Sequence, residues 1–106
     1  MPFKQLQRKE EDLGILFIGR EKNFNTLSTL EIQPIEREKV LENLAIEDYS
    51  DEPIQENWHG SKEMWIFGKI LKDQEIYIKI TLGAAGTNTI CISFHLSEYP
   101  MAYPFK

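Results

Sequence analysis

Three stretches toward the C-terminal end, EMWIFGKIL (63–71), QEIYIKITL (74–82) and NTICISFHL (88–96), limit what this chain can become. Each is rich in β-branched and aromatic residues and bounded by turn formers, which is the signature of a strand. Successive side chains of a strand point to opposite faces. In the second stretch Ile76, Ile78, Ile80 and Leu82 share one face, opposite Tyr77, Lys79 and Thr81. In the third, Ile90, Ile92, Phe94 and Leu96 oppose Thr89, Cys91, Ser93 and His95. A slip of one residue would turn either aliphatic row into water, so the register is strongly specified. Lys72-Asp73-Gln74 can turn the first hairpin and Gly83 to Thr87 the second. Such short connections predict an antiparallel meander with strands over about 63–72, 75–82 and 88–96. The first stretch is apolar on both faces, with Met64, Ile66 and Ile70 in one row and Trp65, Phe67 and Lys69 in the other. If its aliphatic row also meets the core, Trp65, Phe67 and Lys69 join the polar face.

The aliphatic rows need a cover, and the upstream half supplies it. Residues 1–12 are polar and read as frayed or helical, and LGILFIG (13–19) reads as a short strand. In REKNFNTLSTLEI, Phe24, Leu27 and Leu30 recur at helical spacing. Pro34 suits the first turn of a second helix, over about 34–45, with Ile35, Val40, Leu41 and Leu44 as its apolar stripe. EDYSDEPIQENWHGS (47–61) mixes acids and turn formers without a period and reads as a connecting loop. SEYPMAYPFK (97–106) has two prolines and three aromatics, so it cannot be a central strand. It should lie across the sheet or its edge, held by Tyr99, Tyr103 or Phe105. The expectation is one domain over 1–106 of the α+β class: a small antiparallel sheet, helices on one face, and Ile78 and Ile92 buried beneath helix 34–45.

Charge narrows the function. The net charge of −5 argues against loose, patch-driven binding to nucleic acid, and against DNA as a partner by itself, because phosphate contacts need clustered Lys and Arg. A small cationic pocket on an acidic body remains compatible with it. Cys91 is the sole cysteine, so an intramolecular disulfide is impossible. The one apolar run near the N-terminus is far too short to cross a membrane or to act as a signal peptide, which predicts a cytoplasmic protein without a membrane partner. No cofactor is expected and no metal site: His59, His95 and Cys91 lack structural-zinc spacing, and no second Cys exists. Cys91 and His95 sit about 13 Å apart along a strand, too far for a thiolate–imidazole pair. Gly83 to Gly86 lacks the Lys-Ser/Thr and helix of a phosphate loop.

The polar face carries the chemistry. Tyr77, Lys79, Ser93 and His95 share it, and Lys69, Trp65 and Phe67 would border it. Any one of these residues alone fits an ordinary half-solvated sheet face, where Lys, Thr and Tyr are common. Together, an imidazole that titrates near neutrality, fixed cations and a phenol suit phosphodiester chemistry.

The segment W…EIYIKITL…ICISFH also resembles the C-terminal half of MqsR-type toxins of bacterial toxin–antitoxin pairs, part of the wider RelE-like ribonuclease group. The likeness covers roughly 20–105 and is strongest over 63–95. It implies helices on one side of a small antiparallel sheet and an RNA site on the other. It implies a metal-independent endoribonuclease that cuts messenger RNA, with or without the ribosome, and is neutralised by a cognate antitoxin protein. Carried over residue by residue, Tyr77 and Lys79 match the family's Tyr and Lys on the middle strand, and His95 stands where such toxins place a cation after Ser-Phe. Lys69 is a fourth catalytic candidate, and Trp65, Phe67 and Ser93 would contact RNA.

In such a mechanism the substrate's 2′-OH attacks the adjacent phosphate. His95 serves as general acid or base, Lys69 and Lys79 hold the phosphate, and Tyr77 hydrogen-bonds it or stacks on a base. Glu98 is a candidate second acid–base group, although a solvated loop carboxylate is the simpler reading of it. A rival reading from another class is a non-catalytic protein-interaction domain on the same fold. A positive pocket around His95 favours the enzyme, whereas a tail-filled face favours the binder.

Overall fold

The computed structural model describes residues 15–56, 62–81 and 89–106. They form strand β1 (Ile15–Phe17), helix α1 (Glu21–Leu30), helix α2 (Pro34–Glu42), a 3₁₀ turn (Ile46–Asp48) and strands β2 (Tyr49–Glu56), β3 (Lys62–Leu71), β4 (Gln74–Thr81) and β5 (Thr89–Leu96). The fold is α+β, and the strands make one sheet in the order β1-β5-β4-β3-β2. The three expected strands pair antiparallel as β3–β4 and β4–β5. Lys72 and Asp73 turn the β3–β4 hairpin with φ of 48° and 65°. A two-residue turn that matches the twist of its strands needs two such positive values. The expected turn over 83–87, the reading of 1–12, Leu82 and His59 lie outside the described residues.

Two strands correct the expectation of a simple meander. The polar segment read as a loop over 47–61 contains β2, which pairs antiparallel with β3 through two register shifts. Its Pro53 and its breaks in register belong to an edge strand, and they hide the two-residue period. β1 pairs in parallel with β5, Ile15 to Thr89 and Phe17 to Cys91, so the sheet is mixed. A pairing between segments so far apart leaves no local trace in sequence.

The core lies between the helices and one face of the sheet. Leu30, Leu41 and Leu44 pack with Phe67, Ile76, Ile78, Ile80, Cys91 and Phe94. Arg37 of α2 covers the Phe17 ring at 4.2 Å and ties α2 to β1. Ile78 is fully buried in this cluster, as its row predicts. The β4–β5 register passes from Lys79–Ser93 to Ile80–Cys91, so Ile92 is an extra residue, a bulge. The bulge reverses the parity of β5. Cys91, expected on the polar face, enters the core, and Ile90 instead stands across from Thr81. Ile92 is buried, but outside the cluster beneath α2.

β3 also sits opposite to the expectation. Trp65, Phe67 and Lys69 pair with Ile80, Ile78 and Ile76, and directly paired residues share a face. That puts Trp65, Phe67 and Lys69 on the helix side, and Ile66 and Gly68 beside Lys79 and Tyr77. The larger aromatic row won the core: Phe67 meets Tyr49 edge-on at 5.9 Å, and Trp65 meets it at 5.8 Å.

α1 is held by polar groups as well as by part of the expected stripe: Leu30 enters the core and Leu27 is half-buried. Phe24 is exposed, whereas Asn23 and Thr26 are buried. The Asn23 amide donates to the carbonyls of Ile18 (3.0 Å) and Ile92 (3.1 Å), and its oxygen accepts from the Phe94 N–H (3.0 Å). Thr26 Oγ1 accepts from the Leu96 N–H at 3.2 Å. Where the three-residue β1 ends, α1 therefore takes over as hydrogen-bonding partner of the β5 edge. Lys72 ties down the other end of α1 by donating to the Leu30 carbonyl at 2.8 Å.

The tail crosses the outer sheet face, the one away from the helices. Glu75 accepts the Met101 N–H at 3.0 Å and the Tyr103 hydroxyl at 2.7 Å. Ser50 donates to the Ala102 carbonyl at 2.8 Å, and Phe105 meets Tyr49. Burial, with the Glu75 carboxylate accepting a hydrogen bond from the hydroxyl, pushes the Tyr103 phenol well above its ordinary range. The Tyr103 ring lies against Gly68, where an added Cβ would fall 2.2 Å from the hydroxyl oxygen. A glycine in mid-strand is explained by that close approach.

Asn23→Ala should lower stability by about 2–4 kcal/mol, because it leaves the Phe94 N–H and Ile92 carbonyl buried without partners. Urea denaturation checks this; a midpoint equal to the parent's would show that α1 docks by other means. Gly68→Ala should expel the Tyr103 ring and loosen the tail. Hydrogen exchange at the Met101 amide should then accelerate at least tenfold while β4 amides stay protected.

Candidate functional site

The pairing of β4 with β5 places Tyr77 directly across from His95 and Lys79 directly across from Ser93, all on the outer face. The Tyr77 and His95 rings stack at 5.2 Å with 17° between their planes. Tyr99 from the tail meets Tyr77 edge-on at 6.4 Å, and the Lys79 ammonium lies 6.0 Å from the Tyr77 ring centre. Four of the residues singled out in the sequence therefore come together. They line an open hollow of about 220 Å³ with Arg20, Glu98 and Tyr99.

Arg20 is the residue that sequence reasoning missed. It lies between β1 and α1, and its Nη1 donates to Ser93 Oγ at 3.3 Å. The parallel β1–β5 pair and the Asn23 clamp carry it there. The one signal in the sequence was a basic residue at a strand-to-helix junction, which says nothing without the partner strand.

The His95 ring is anchored by a main-chain contact. Its Nδ1 lies 2.9 Å from the Leu96 carbonyl. A carbonyl only accepts, so the contact matches an Nδ1–H ring, and in the neutral form of that tautomer Nε2 presents a lone pair as a proton acceptor. Glu98 pairs with Lys22 of α1. The hydrogen bond and charge of Lys22, with a smaller contribution from His95, hold the Glu98 carboxyl below its usual range. The hollow thus gathers an arginine, a lysine and an imidazole, with one carboxylate already matched to a second lysine.

The other candidates stand elsewhere. Lys69 is on the helix side, where its ammonium pairs with Asp48 at 3.0 Å. The same Asp48 oxygen accepts the Ala45 N–H at 2.8 Å and closes the 3₁₀ turn, which gives Lys69 a structural partner. Phe67 is in the core and Trp65 packs against it, so neither ring borders the hollow. Cys91 is buried, and its thiol points at the Ser93 carbonyl at 3.4 Å. Among the described residues no three His, Cys, Asp or Glu side chains gather as metal ligands do. No helix among them is long and apolar enough to cross a membrane.

No protein-family model, curated protein or solved structure matches the chain. The functional reading therefore stands on the hollow itself.

The neutral His95 ring should show the Nδ1–H tautomer. Long-range proton–nitrogen NMR reports this directly, and a dominant Nε2–H form would remove the assignment of Nε2 as proton acceptor.

Proposed function

We propose that the hollow cleaves single-stranded RNA without a metal ion, by attack of the substrate's own 2′-OH, as in a RelE- or MqsR-like messenger-RNA toxin. The observation that carries this reading is the convergence of His95, stacked on Tyr77, with the cations Lys79 and Arg20 in one solvent-open hollow on an acidic body. Low-dielectric walls around a few clustered cations concentrate the field that draws in an anion, whatever the net charge.

Each residue has a step. His95 Nε2 takes the proton of the 2′-OH, and the freed oxygen attacks the neighbouring phosphorus. Lys79 and Arg20 bind the non-bridging phosphate oxygens and stabilise the charge that builds on the phosphorane. The bond to the 5′-oxygen breaks, and a proton from the Lys79 ammonium reaches that oxygen. The products are a 2′,3′-cyclic phosphate and a 5′-hydroxyl. Tyr77 orients rather than reads: with its face against the imidazole, it holds the ring that Nδ1 has already anchored. Ser93 holds Arg20 in place. A protein antitoxin would silence the chain by covering the hollow.

A second reading is favoured by the tail. Its Tyr103 and Met101 occupy the outer face beside the hollow, as in a non-catalytic domain whose sheet face docks a protein. Cleavage separates the two.

His95→Gln should lower the rate of purified RNA cleavage by about 10²–10⁴-fold, the contribution of a single placed acid or base, with little change in stability. Lys79→Ala should weaken cleavage as well. Cleavage should persist in EDTA and leave cyclic phosphate ends. Equal rates in the parent and both variants would leave this face without a catalytic role, and failure of every form to cut RNA, with or without ribosomes, would select the interaction domain.

A further inference from the structure

A second hollow of about 180 Å³ adjoins the first. His95 and Glu98 border both. The far wall of the second hollow is α1, which presents Lys22, Asn25 and Thr29 along one face. These residues are spaced three and four apart, so they stack one turn above another. Asn25 and Thr29 are exposed, and Thr26 between them is already committed to the Leu96 N–H. The wall is thus an ammonium followed by neutral hydrogen-bonding groups, a lining suited to a phosphate and the polar edge of a nucleotide.

Glu98 stands at the junction. Its carboxylate is exposed, ionised and matched to Lys22, and the imidazole of His95 is close enough to help keep it so. An acidic side chain at the meeting point of four basic ones has a simple reading: it fills an anion position. Building on the ribonuclease reading above, we propose that Glu98 holds the place of a second phosphate. A single-stranded RNA crosses His95, with the scissile phosphate between Arg20 and Lys79 and the adjacent phosphate on Lys22 in place of Glu98.

The strand must displace an exposed ion pair, and such pairs are weak, so the exchange is easy in either direction. Glu98 thereby lowers affinity for RNA without touching the reacting atoms.

The test is binding of a fluorescent hexauridylate carrying 2′-O-methyl groups, which cannot be cleaved, followed by anisotropy over a range of salt. Glu98→Gln should bind about 2- to 5-fold more tightly than the parent at low salt, the range over which an exposed pair contributes. Lys22→Ala should reduce the slope of log affinity against log salt by about 0.7, the share of one phosphate contact on a single strand. If either change is missing while Lys79→Ala still weakens binding, the two-phosphate path is overturned and the scissile-phosphate site stands. If both changes appear but the all-ribose strand is never cut, the path holds and only the catalytic reading falls. If neither parent nor variant binds the oligonucleotide, both are overturned.

Discussion

The side chain of Asn23 decides where everything else on this face can stand. One buried amide joins the end of β1, the start of α1 and two positions of β5 through three hydrogen bonds. Without it the edge of β5 beyond Cys91 would present unpaired donors and acceptors, which is costly when buried and invites pairing with another chain. With it, α1 runs beside that edge at a fixed height. Arg20, three residues before Asn23, reaches Ser93, and Lys22, one residue before it, reaches Glu98. The basic wall of the hollow is thus a by-product of how the sheet closes its own edge.

The contrast between an acidic body and a basic hollow follows from the same placement. Among the described residues acids lie on both helices, the 3₁₀ turn and the strands, whereas Arg20, Lys22, Lys79 and His95 are brought together from α1 and the junction before it, β4 and β5. Total charge governs solubility and distant repulsion; local charge governs what enters a cleft. Screening reaches about 8 Å at physiological salt, so a phosphate in the hollow feels the nearby cations more than the remote acids.

The alternating stretches made β3, β4 and β5 legible, since a two-residue period held over a whole stretch fits a pleated strand and not a helix. The identity of Tyr77, Lys79, Ser93 and His95 as neighbours followed from it. Three things did not follow. The face of β3 could not be read because Met64, Ile66, Trp65 and Phe67 are all apolar, and only packing decides between two apolar rows. The bulge at Ile92 sends Cys91 inward, but a β-branched residue in a β-branched run carries no mark of an extra position. Arg20 entered the site through a parallel pairing whose partners are distant in sequence. Helical periodicity also misled at α1: Phe24 lies in solvent because the helix docks through hydrogen bonds to a strand edge, for which Asn and Thr are the right residues.

That parallel pairing also sets a schedule. Arg20 and Ser93 are 73 positions apart, and β1 can be completed as a strand only once β5 exists to receive it. Contacts between distant segments carry the loop-closure entropy of the chain between them and form late. Arg20 and His95 therefore come to share one hollow only after most of the intervening chain has folded. The hollow is complete only once the parallel pair has closed, so neither half of the chain carries it alone.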